Sequence, residues 1–394
     1  MTSVSAEVQD TLAGQLRPGM TVALGDGAGM PTTLDDGTNV LTALSNAARE
    51  VGGIRLVLGW LAAEASGLDP DAFAEVVSLM PSGGARAVLR SPVARFLPTR
   101  LSALPALLLG PLRPDLVLCR LASRGGELRY GSEVSYLSVL VDAEVRVLAV
   151  VDEAGCSASA LPPLDPTQIR VIGRAGVGPE HWHREPDAIH EALADRVLAL
   201  IPEGSRIQYG PGPLGTALLR RTQVPLRCDS GMLTDAVVDL DERGLLIGEP
   251  SATYLVGTER LYKWADGRPV LRGIEYTHDL TRLSRGVPLM AVNIAVEIDR
   301  LGQINVEGLG DKVFGGVGGH PDYCAAARMS TGGLSIIAVP AGEAGNGPLV
   351  EELSRPVSTA AHDVDVIVTE HGHVDLRLAD WSRRRAAIAE LFAC

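Results

Sequence analysis

Short runs of aliphatic and β-branched residues alternate along the chain with longer stretches in which apolar residues recur at helical spacing. "GMTVALGDG" (residues 19–27), "GIRLVLGW" (53–60) and "PDLVLCRL" (114–121) are bounded by Gly, Pro or charged residues, as buried strands are. "VLTALSNAAREV" (40–51) and "DAIHEALADRVLALI" (187–201) have the apolar spacing of amphipathic helices. Strands that alternate with helices are typical of parallel sheets, so the pattern predicts an α/β fold.

A weak internal repeat predicts two related halves. "LRPGMTVALGDG" (16–27) and "IPEGSRIQYGPG" (201–212) both read as a helix end, a Gly turn, a strand and a Gly-x-Gly turn. The polar stretch "GPEHWHREPD" (178–187) lies just before the second unit. We place the linker there and predict an N-terminal α/β domain over 1–180 and a C-terminal one over 186–394.

The charge of the chain limits its partners. A net charge of −13 argues against nucleic acid, because neutralising phosphates requires a cationic surface. Local Arg groups and backbone amides can still bind an anionic small molecule. Only two of the 35 basic residues are lysines, Lys263 and Lys312, so Schiff-base chemistry has few candidates, and neither lies in a Walker phosphate loop.

Cysteine usage and hydropathy predict a cytoplasmic protein. The five cysteines are scattered and form no C-x-x-C pair, as expected for reduced thiols rather than a disulfide framework or a zinc site. The N-terminal stretch "MTSVSAEVQDTLAG" is polar, unlike a signal peptide. No apolar run reaches the ~20 residues of a membrane helix.

Two glycine-rich segments are candidate binding turns. In "QYGPGPLGTALL" (208–219), Gly210 and Gly212 stand between a predicted strand and a predicted helix, where backbone N–H groups suit a phosphate or an oxyanion. The alternative is a tight turn that only packs the helix on the sheet. The segment lacks the spacing of a dinucleotide fold.

The second glycine-rich segment is "FGGVGGHPDY" (314–323), which contains Gly316, Gly318 and Gly319. Glycines at this density cost backbone entropy and are hard to explain by packing. A loop of this kind lets a ligand approach the backbone closely, although a merely flexible loop would have the same composition.

Titratable residues follow a predicted strand in "DVDVIVTEHGHVDLR" (363–377). Glu370, His371 and His373 stand at its carboxyl end, where ligands of α/β sheets usually bind. The two histidines lack an evident third ligand, so we predict no metal site.

Three side chains capable of chemistry meet in "RCDSGMLTDAVVDL" (227–240). If this segment is extended, Asp229 and Gly231 face the same side, about 6.5 Å apart, and Cys228 and Ser230 face away. Asp229 is either a base acting through water or a cap of the next turn.

The chain resembles, over nearly its whole length and more faintly in its N-terminal half, the acetyl-CoA hydrolase/transferase family, whose members include class I CoA-transferases such as the 4-hydroxybutyrate type. The resemblance is carried in order by "MAVNIAVEIDRLGQINVEG" (290–308), "FGGVGGHPDY" (314–323), "GGLSIIAVPA" (332–341) and "VSTAAHDVDVIVTEHGHVDLR" (357–377). It implies two related open α/β domains with the active site in the cleft between them. It also implies coenzyme A thioesters as substrates and a homo-oligomer.

The resemblance implies a glutamate nucleophile that this chain lacks. In the family, that carboxylate attacks an acyl-CoA and becomes a glutamyl-CoA thioester. It lies four residues before an Asp that matches Asp235, and the corresponding residue here is Gly231. The sequence also has His320 where the family typically has Gln, and Ala361 where it usually has Arg.

The sequence therefore predicts an enzyme that cleaves a CoA thioester without a glutamyl-CoA intermediate, by hydrolysis or by a related cleavage. The catalytic candidates are His320, Asp229 and Glu370. His320 is either a base for water or a Gln substitute that only hydrogen-bonds substrate, and Glu370 is either a further base or bonded to loop backbone. The binding candidates are Gly210, Gly212, Gly231, Gly316, Gly318 and Gly319. The alternatives are a CoA-transferase that uses Asp229 and a non-catalytic protein that binds a CoA ester.

Overall fold

The computed structural model of the protein describes residues 6–342 and 347–393, which form two compact units. The N-terminal unit consists of Met1–Thr99, Ala103–Trp182 and Thr253–Glu275, and the C-terminal unit of Arg100–Ser102, His183–Ala252 and Tyr276–Cys394. The chain thus changes units inside the predicted linker, 178–187, but one later segment returns to the N-terminal unit. That residues 1–180 and 186–394 fold as independent domains remains a prediction.

The helices are, in chain order, α1 (Ala6–Gln15), α2 (Val40–Val51), α3 (Leu104–Leu109), α4 (Leu137–Asp142), α5 (Ala188–Leu198), α6 (Pro213–Arg221), α7 (Asp235–Glu242), α8 (Glu259–Ala265), α9 (Ile274–Thr277), α10 (Leu280–Leu283), α11 (His320–Met329) and α12 (Trp381–Leu391). Short 3-10 turns supplement them. Within the described ranges, no helix has the length and apolar character to cross a membrane.

The strands are, in chain order, β1 (Thr21–Leu24), β2 (Arg55–Leu58), β3 (Glu75–Ser78), β4 (Ala94–Phe96), β5 (Leu116–Arg124), β6 (Glu127–Arg129), β7 (Arg146–Asp152), β8 (Ile169–Arg174), β9 (Arg206–Tyr209), β10 (Arg227–Cys228), β11 (Met232–Leu233), β12 (Tyr254–Leu255), β13 (Leu289–Asn293), β14 (Glu297–Asp299), β15 (Ile304–Asn305), β16 (Gly308–Leu309), β17 (Lys312–Val313), β18 (Leu334–Ala338), β19 (Leu349–Val350), β20 (Val366–Val368) and β21 (His373–Asp375).

The main sheet of the N-terminal unit has the strand order β4-β3-β2-β1-β5-β7-β8, with β6 added antiparallel to β5. Its other pairings are parallel. The chain moves outward from β1 to β4 and then returns to place β5 on the other side of β1. The strand order therefore reverses between β1 and β5, which makes their carboxyl ends a topological switch point, a usual place for ligands.

The main sheet of the C-terminal unit has the order β10-β9-β13-β18-β20-β21. It is parallel except for the β20–β21 pair. The chain places β10 on one side of β9 and β13 on the other, so this sheet has its switch point at the carboxyl ends of β9 and β13. Two mainly parallel sheets confirm the predicted α/β class.

The buried apolar faces explain why these segments form these elements. Helix α2 begins at Asn39, whose side chain accepts a hydrogen bond from the Thr42 N–H, and ends at Gly52, whose φ of 75° suits glycine. Its apolar residues lie in one core cluster with those of β1, β2 and β5, for example Leu44 and Leu56, which are fully buried. The C-terminal unit has its own clusters around β18, β20 and α11.

Candidate active site

The switch point of the C-terminal unit rests on a buried pair of amides. The side chains of Gln208 on β9 and Asn293 on β13 hydrogen-bond to each other twice, at 3.2 and 3.0 Å. Two bonds between adjacent strands fix the ends of these strands relative to each other. They give a firm base to the loops that follow β9 and β13.

The turn after β9 leads directly into α6. Gly212 is the N-cap of α6 and is followed by Pro213 at the first helical position, where a missing N–H costs nothing. An added Cβ on Gly210 or Gly212 would meet no atom within 4 Å, so packing does not require glycine at either position. Gly215 in the first turns of α6 is different, because a Cβ there would collide with the Gly210 carbonyl oxygen. The predicted binding glycines thus lie at a helix N-terminus with free space above their backbone.

Asp229, directly after β10, is held by two arginines. Its carboxylate accepts hydrogen bonds from Arg206 at 3.1 Å and from both terminal nitrogens of Arg282, at 2.7 and 2.9 Å. The residue is only 5 % exposed. A bidentate arginine pair stabilises the ionised carboxylate and restricts its geometry. These contacts argue for a structural role of Asp229 rather than for a reacting base.

The two neighbours of Asp229 are unsuited to nucleophilic attack. Burial, and secondarily the charge of Asp229, raises the pKa of the Cys228 thiol to about 12, which leaves it protonated. The Ser230 hydroxyl is fully buried and donates to the Tyr209 carbonyl at 2.9 Å. Neither side chain has a base beside it that would activate it.

Gly231 lies beside a buried histidine that the sequence analysis did not single out. The Nε2 atom of His278 lies 3.5 Å from the point where a Cβ atom on Gly231 would stand. His278 is 1 % exposed, and its Nδ1 lies 2.9 Å from the Thr277 hydroxyl oxygen. Its Nε2 is buried and has no hydrogen-bond partner among the residues described. Burial, and then the charge of Arg282, lowers the pKa of His278 to about 3, so the ring is neutral at ordinary pH.

Local structure explains how His278 is held. It stands between two single-turn helices, α9 and α10, and Asp279 caps the second with a hydrogen bond from the Thr281 N–H at 2.8 Å. The ring packs edge-to-face on Tyr323 of α11, with the ring centroids 5.0 Å apart. The Tyr323 hydroxyl in turn donates to the Thr277 carbonyl at 3.0 Å.

Gly319, at the end of the glycine-rich loop, covers the same histidine. A Cβ on Gly319 would stand only 2.5 Å from His278 Nε2 and 2.7 Å from its Cδ2. No side chain fits at that distance, so His278 requires glycine at position 319. Position 318 favours glycine for a different reason, because its φ of 62° lies in the left-handed region that other residues rarely adopt.

His320 begins α11, and both of its ring nitrogens are engaged. Nε2 lies 3.0 Å from the Ile294 carbonyl, which can only accept, so Nε2 carries the proton. Nδ1 lies 2.7 Å from the Thr359 hydroxyl and accepts its proton in the neutral ring. Burial lowers the pKa of His320 to about 4, although the bond to Ile294 opposes this shift. These bonds favour the role of a hydrogen-bonding residue over that of a base for water.

Glu370 follows β20 and is bonded to the backbone. Its Oε2 accepts a hydrogen bond from the Ala341 N–H at 2.8 Å. Among the residues described, Asp229, His320 and Glu370 make no hydrogen bond with one another. The geometry that converges in this unit is instead Gly231, His278, Gly319 and Tyr323.

The switch point of the N-terminal unit holds a buried acidic pair. Asp26, just after β1, accepts hydrogen bonds from the Tyr254 hydroxyl at 2.7 Å and from the Trp60 N–H at 3.2 Å. Glu133 accepts hydrogen bonds from the Gly29 N–H at 3.0 Å and from the neighbouring seryl hydroxyl at 2.7 Å. Burial raises the pKa of Asp26 to about 6 and that of Glu133 to about 7. This unit therefore has two carboxyl groups that change charge near neutral pH.

Only some of these groups could be identified from the sequence. The glycine density of residues 314–323 predicted a close approach, and His278 under Gly319 is one reason for it. His278 itself is a single histidine in "YTHDL" with no motif around it. Asp26 and Glu133 are far apart in the chain, so no spacing rule could connect them.

Comparison with known sequences identifies the C-terminal part of the chain. Residues 257–393 match the profile of the acetyl-CoA hydrolase/transferase C-terminal domain. The chain is 28% identical over 221 residues to 4-hydroxybutyrate coenzyme A transferase of Clostridium kluyveri, a match that covers 52% of this chain and 51% of the relative. It is 24% identical over 272 residues to acetyl-CoA hydrolase of Candida albicans, covering 65% and 49%. The chain thus spans about half the length of the curated relatives it matches.

Solved structures share the whole fold. RipA from Yersinia pestis superimposes with a TM-score of 0.86 at 21% identity, covering 97% of this chain and 93% of that one. The 4-hydroxybutyrate CoA-transferase of Porphyromonas gingivalis superimposes with a TM-score of 0.75 at 19% identity, covering 98% and 92%. Residues 257–393 thus form an acetyl-CoA hydrolase/transferase C-terminal domain, and the chain as a whole has the fold of these solved structures.

Proposed function

We propose that this protein hydrolyses an acyl-CoA thioester, with water as the acceptor of the acyl group and without an enzyme-bound glutamyl-CoA. The C-terminal domain and the relatives, which are CoA-transferases and an acetyl-CoA hydrolase by name, support a CoA thioester as the substrate. Coenzyme A enters as part of the substrate, and the chemistry calls for no metal.

The observation that carries the proposal is that Gly231 stands at a position where the structure does not require glycine. Its φ does not lie in the left-handed region, and the atom nearest to its Cβ position is 3.5 Å away, an ordinary contact. Neither the backbone nor the packing therefore requires glycine there. The resemblance to the family puts the nucleophilic glutamate at this position. A position that lacks this carboxylate, yet accommodates a Cβ atom, suits water as the attacking group.

The remaining parts suit the binding and polarisation of a thioester. The turn at Gly210 and Gly212 presents backbone N–H groups at the start of α6, which favours negative charge. The loop with Gly316, Gly318 and Gly319 leads into α11 in the same way. Preorganised N–H donors of this kind stabilise the oxyanion that forms when a thioester is attacked. His320 would fix the start of α11 through its bonds to Ile294 and Thr359.

The second candidate is a CoA-transferase that uses Asp229, favoured because several relatives are CoA-transferases by name. For this reaction Asp229 would have to leave both Arg206 and Arg282. Removing a carboxylate from a buried ion pair leaves uncompensated charge, at a cost of about 3–5 kcal/mol. Hydrolysis requires no such rearrangement and is therefore the stronger proposal.

We place the enzyme in the cytoplasm and propose that it forms a homo-oligomer. The cytoplasmic placement is supported by the cysteines Cys119, Cys156, Cys228 and Cys324, which are buried free thiols. The oligomer follows from the family resemblance alone.

The test is to follow free thiol with acetyl-, succinyl-, butyryl- and 4-hydroxybutyryl-CoA, each with and without added carboxylic acids. Hydrolysis predicts thiol release from at least one thioester without any acceptor. Release only in the presence of an acceptor would establish a CoA-transferase instead, and an adduct on Asp229 would then identify its nucleophile. Tight binding measured by calorimetry, with no turnover of any thioester, would establish a non-catalytic binding protein.

A further inference from the structure

We propose that His278 is a catalytic residue of this protein: its Nε2 holds the attacking water molecule beside Gly231 and accepts a proton from it. This inference rests on the hydrolysis proposed above and assigns the group that activates water in the absence of the glutamate.

The first support is the unsatisfied nitrogen. A buried polar atom without a partner costs about 1–3 kcal/mol, so a protein rarely keeps one without a reason. His278 Nε2 is such an atom among the described residues. The backbones of Gly231 and Gly319 lie beside this atom, and the ring packs on Tyr323. Gly231 and Gly319 are both partly exposed, whereas Tyr323 is buried, so a reactant can approach from the side of the two glycines.

The second support is the contrast between the two glycines that face this nitrogen. His278 excludes any side chain at Gly319, since a Cβ there would stand 2.5 Å from Nε2. It does not exclude one at Gly231, where the distance is 3.5 Å. The absence of a side chain at 231 is therefore not a packing requirement.

The third support is the state of the ring. The neutral imidazole has one nitrogen with a proton and one with a lone pair. When Nδ1 donates to the Thr277 hydroxyl oxygen, Nε2 has the lone pair that a water molecule needs. The charged groups near the ring are Arg282 and its partner Asp229, and Tyr323 packs on its other side. Burial of the ring, and then the charge of Arg282, lowers the pKa of His278, so the ring is unprotonated before the reaction.

The proposed step balances as follows. The water oxygen forms a bond to the thioester carbon, the carbonyl π electrons move to oxygen, and one water proton passes to His278 Nε2. The tetrahedral intermediate then collapses, the carbon–sulfur bond breaks, and the departing sulfur takes the proton from Nε2. The products are a carboxylic acid and free CoA thiol, and His278 is again neutral.

The experiment compares kcat and KM of four purified variants with those of the full-length wild-type chain, on the thioester that the wild type hydrolyses. Gly231→Ala places a methyl group 3.5 Å from Nε2 while keeping the histidine, and His278→Gln keeps a hydrogen-bonding group that cannot act as a base. The matched controls are Gly14→Ala, where a Cβ meets nothing within 4 Å, and His362→Gln, whose imidazole is 76% exposed. Thermal unfolding shows which variants are folded.

We expect kcat to fall about 100-fold in both site variants, with KM and acyl-CoA binding retained, and to stay unchanged in the controls. General base catalysis contributes about 10²–10⁴-fold, and a weak base gives the lower end of this range. If His278→Gln does not fold, Gly231→Ala decides. If the wild type hydrolyses the thioester and the folded site variants do so at the same rate, the role of His278 is overturned but the proposed function is not. A wild-type chain that hydrolyses no thioester overturns the proposed function, and this inference with it.

Discussion

His278 Nε2 and Gly231 face each other at a distance of 3.5 Å, measured to the position of the absent Cβ. The relationship joins a buried nitrogen, which has no hydrogen-bond partner in the part of the chain that the structure describes, and a position without a side chain. It is formed within one unit, between the turn after β10 and the connection of α9 to α10. In the proposed reaction, water takes the place of a nucleophile supplied by the protein.

Gly231→Glu should introduce the nucleophile that the family uses. The Cβ position is unobstructed, so the variant should fold, and its carboxylate should attack the thioester to give a glutamyl-CoA adduct. Mass spectrometry after acyl-CoA treatment, with and without borohydride, should find this adduct on residue 231. Gly231→Gln is the control and should give none. A folded Gly231→Glu variant that binds acyl-CoA but forms no adduct would contradict the placement of this position at the reacting carbonyl.

Gly319→Ala should destabilise the protein, and Gly231→Ala should not. The added methyl group at 319 meets the His278 ring at 2.5 Å, and overpacking of this kind costs about 1–3 kcal/mol. Urea unfolding of the two variants measures the difference. Equal stability of both variants would show that His278 does not occupy the place described under Gly319.

His320→Gln should make the protein more resistant to acid. Burial lowers the folded-state pKa of His320 to about 4 from its usual 6.5, so the unfolded chain binds more protons between these values. The wild-type chain therefore loses stability as the pH falls through this window, by up to about 3 kcal/mol, and the variant does not. Unfolding measured as a function of pH should show that the variant is more stable than the wild type only at acidic pH. Its kcat should stay close to that of the wild type, because both ring nitrogens are already engaged; a large loss would restore His320 as the base.

Glu133→Gln should have the opposite pH dependence: it should stabilise the protein relative to the wild type as the pH rises. Burial raises the folded-state pKa of Glu133 to about 7 from 4.5, so the native state binds more protons between these values. The stabilising contribution is present below the lower value and is lost as the pH rises through the upper one. Relative to the wild type, the free energy of unfolding of the variant should increase between about pH 5 and about pH 8, by on the order of 3 kcal/mol. Chemical unfolding at both pH values tests this, and a constant difference would show that Glu133 is already ionised.

Much of the fold was predictable because local patterns determined it. The helix predicted over 40–51 is α2, Val40–Val51, since its apolar stripe and caps lie within the segment itself. The strand order was not predictable, because it depends on which strands pair across long separations. The return of residues 253–275 to the N-terminal unit has the same cause.

The candidate site was predictable only in part. The glycine-rich loop and the replacement at Gly231 can be read from the sequence. The ion pair that holds Asp229 cannot, because Arg282 lies 53 residues further along the chain. His278 gains its importance only from the two glycines that the fold brings to its ring.

The most direct test of the account is a single turnover in oxygen-18 water, with enzyme in excess over acyl-CoA and no added carboxylic acid. Direct attack by water predicts that free CoA is released without an acceptor and that the carboxylic acid from this first turnover carries one oxygen-18 atom. It also predicts that no residue of the enzyme carries acyl or CoA adducts when the reaction is quenched. A first-turnover acid without oxygen-18, or an enzyme-bound CoA thioester, would show that a protein carboxylate attacks the substrate and would contradict the account.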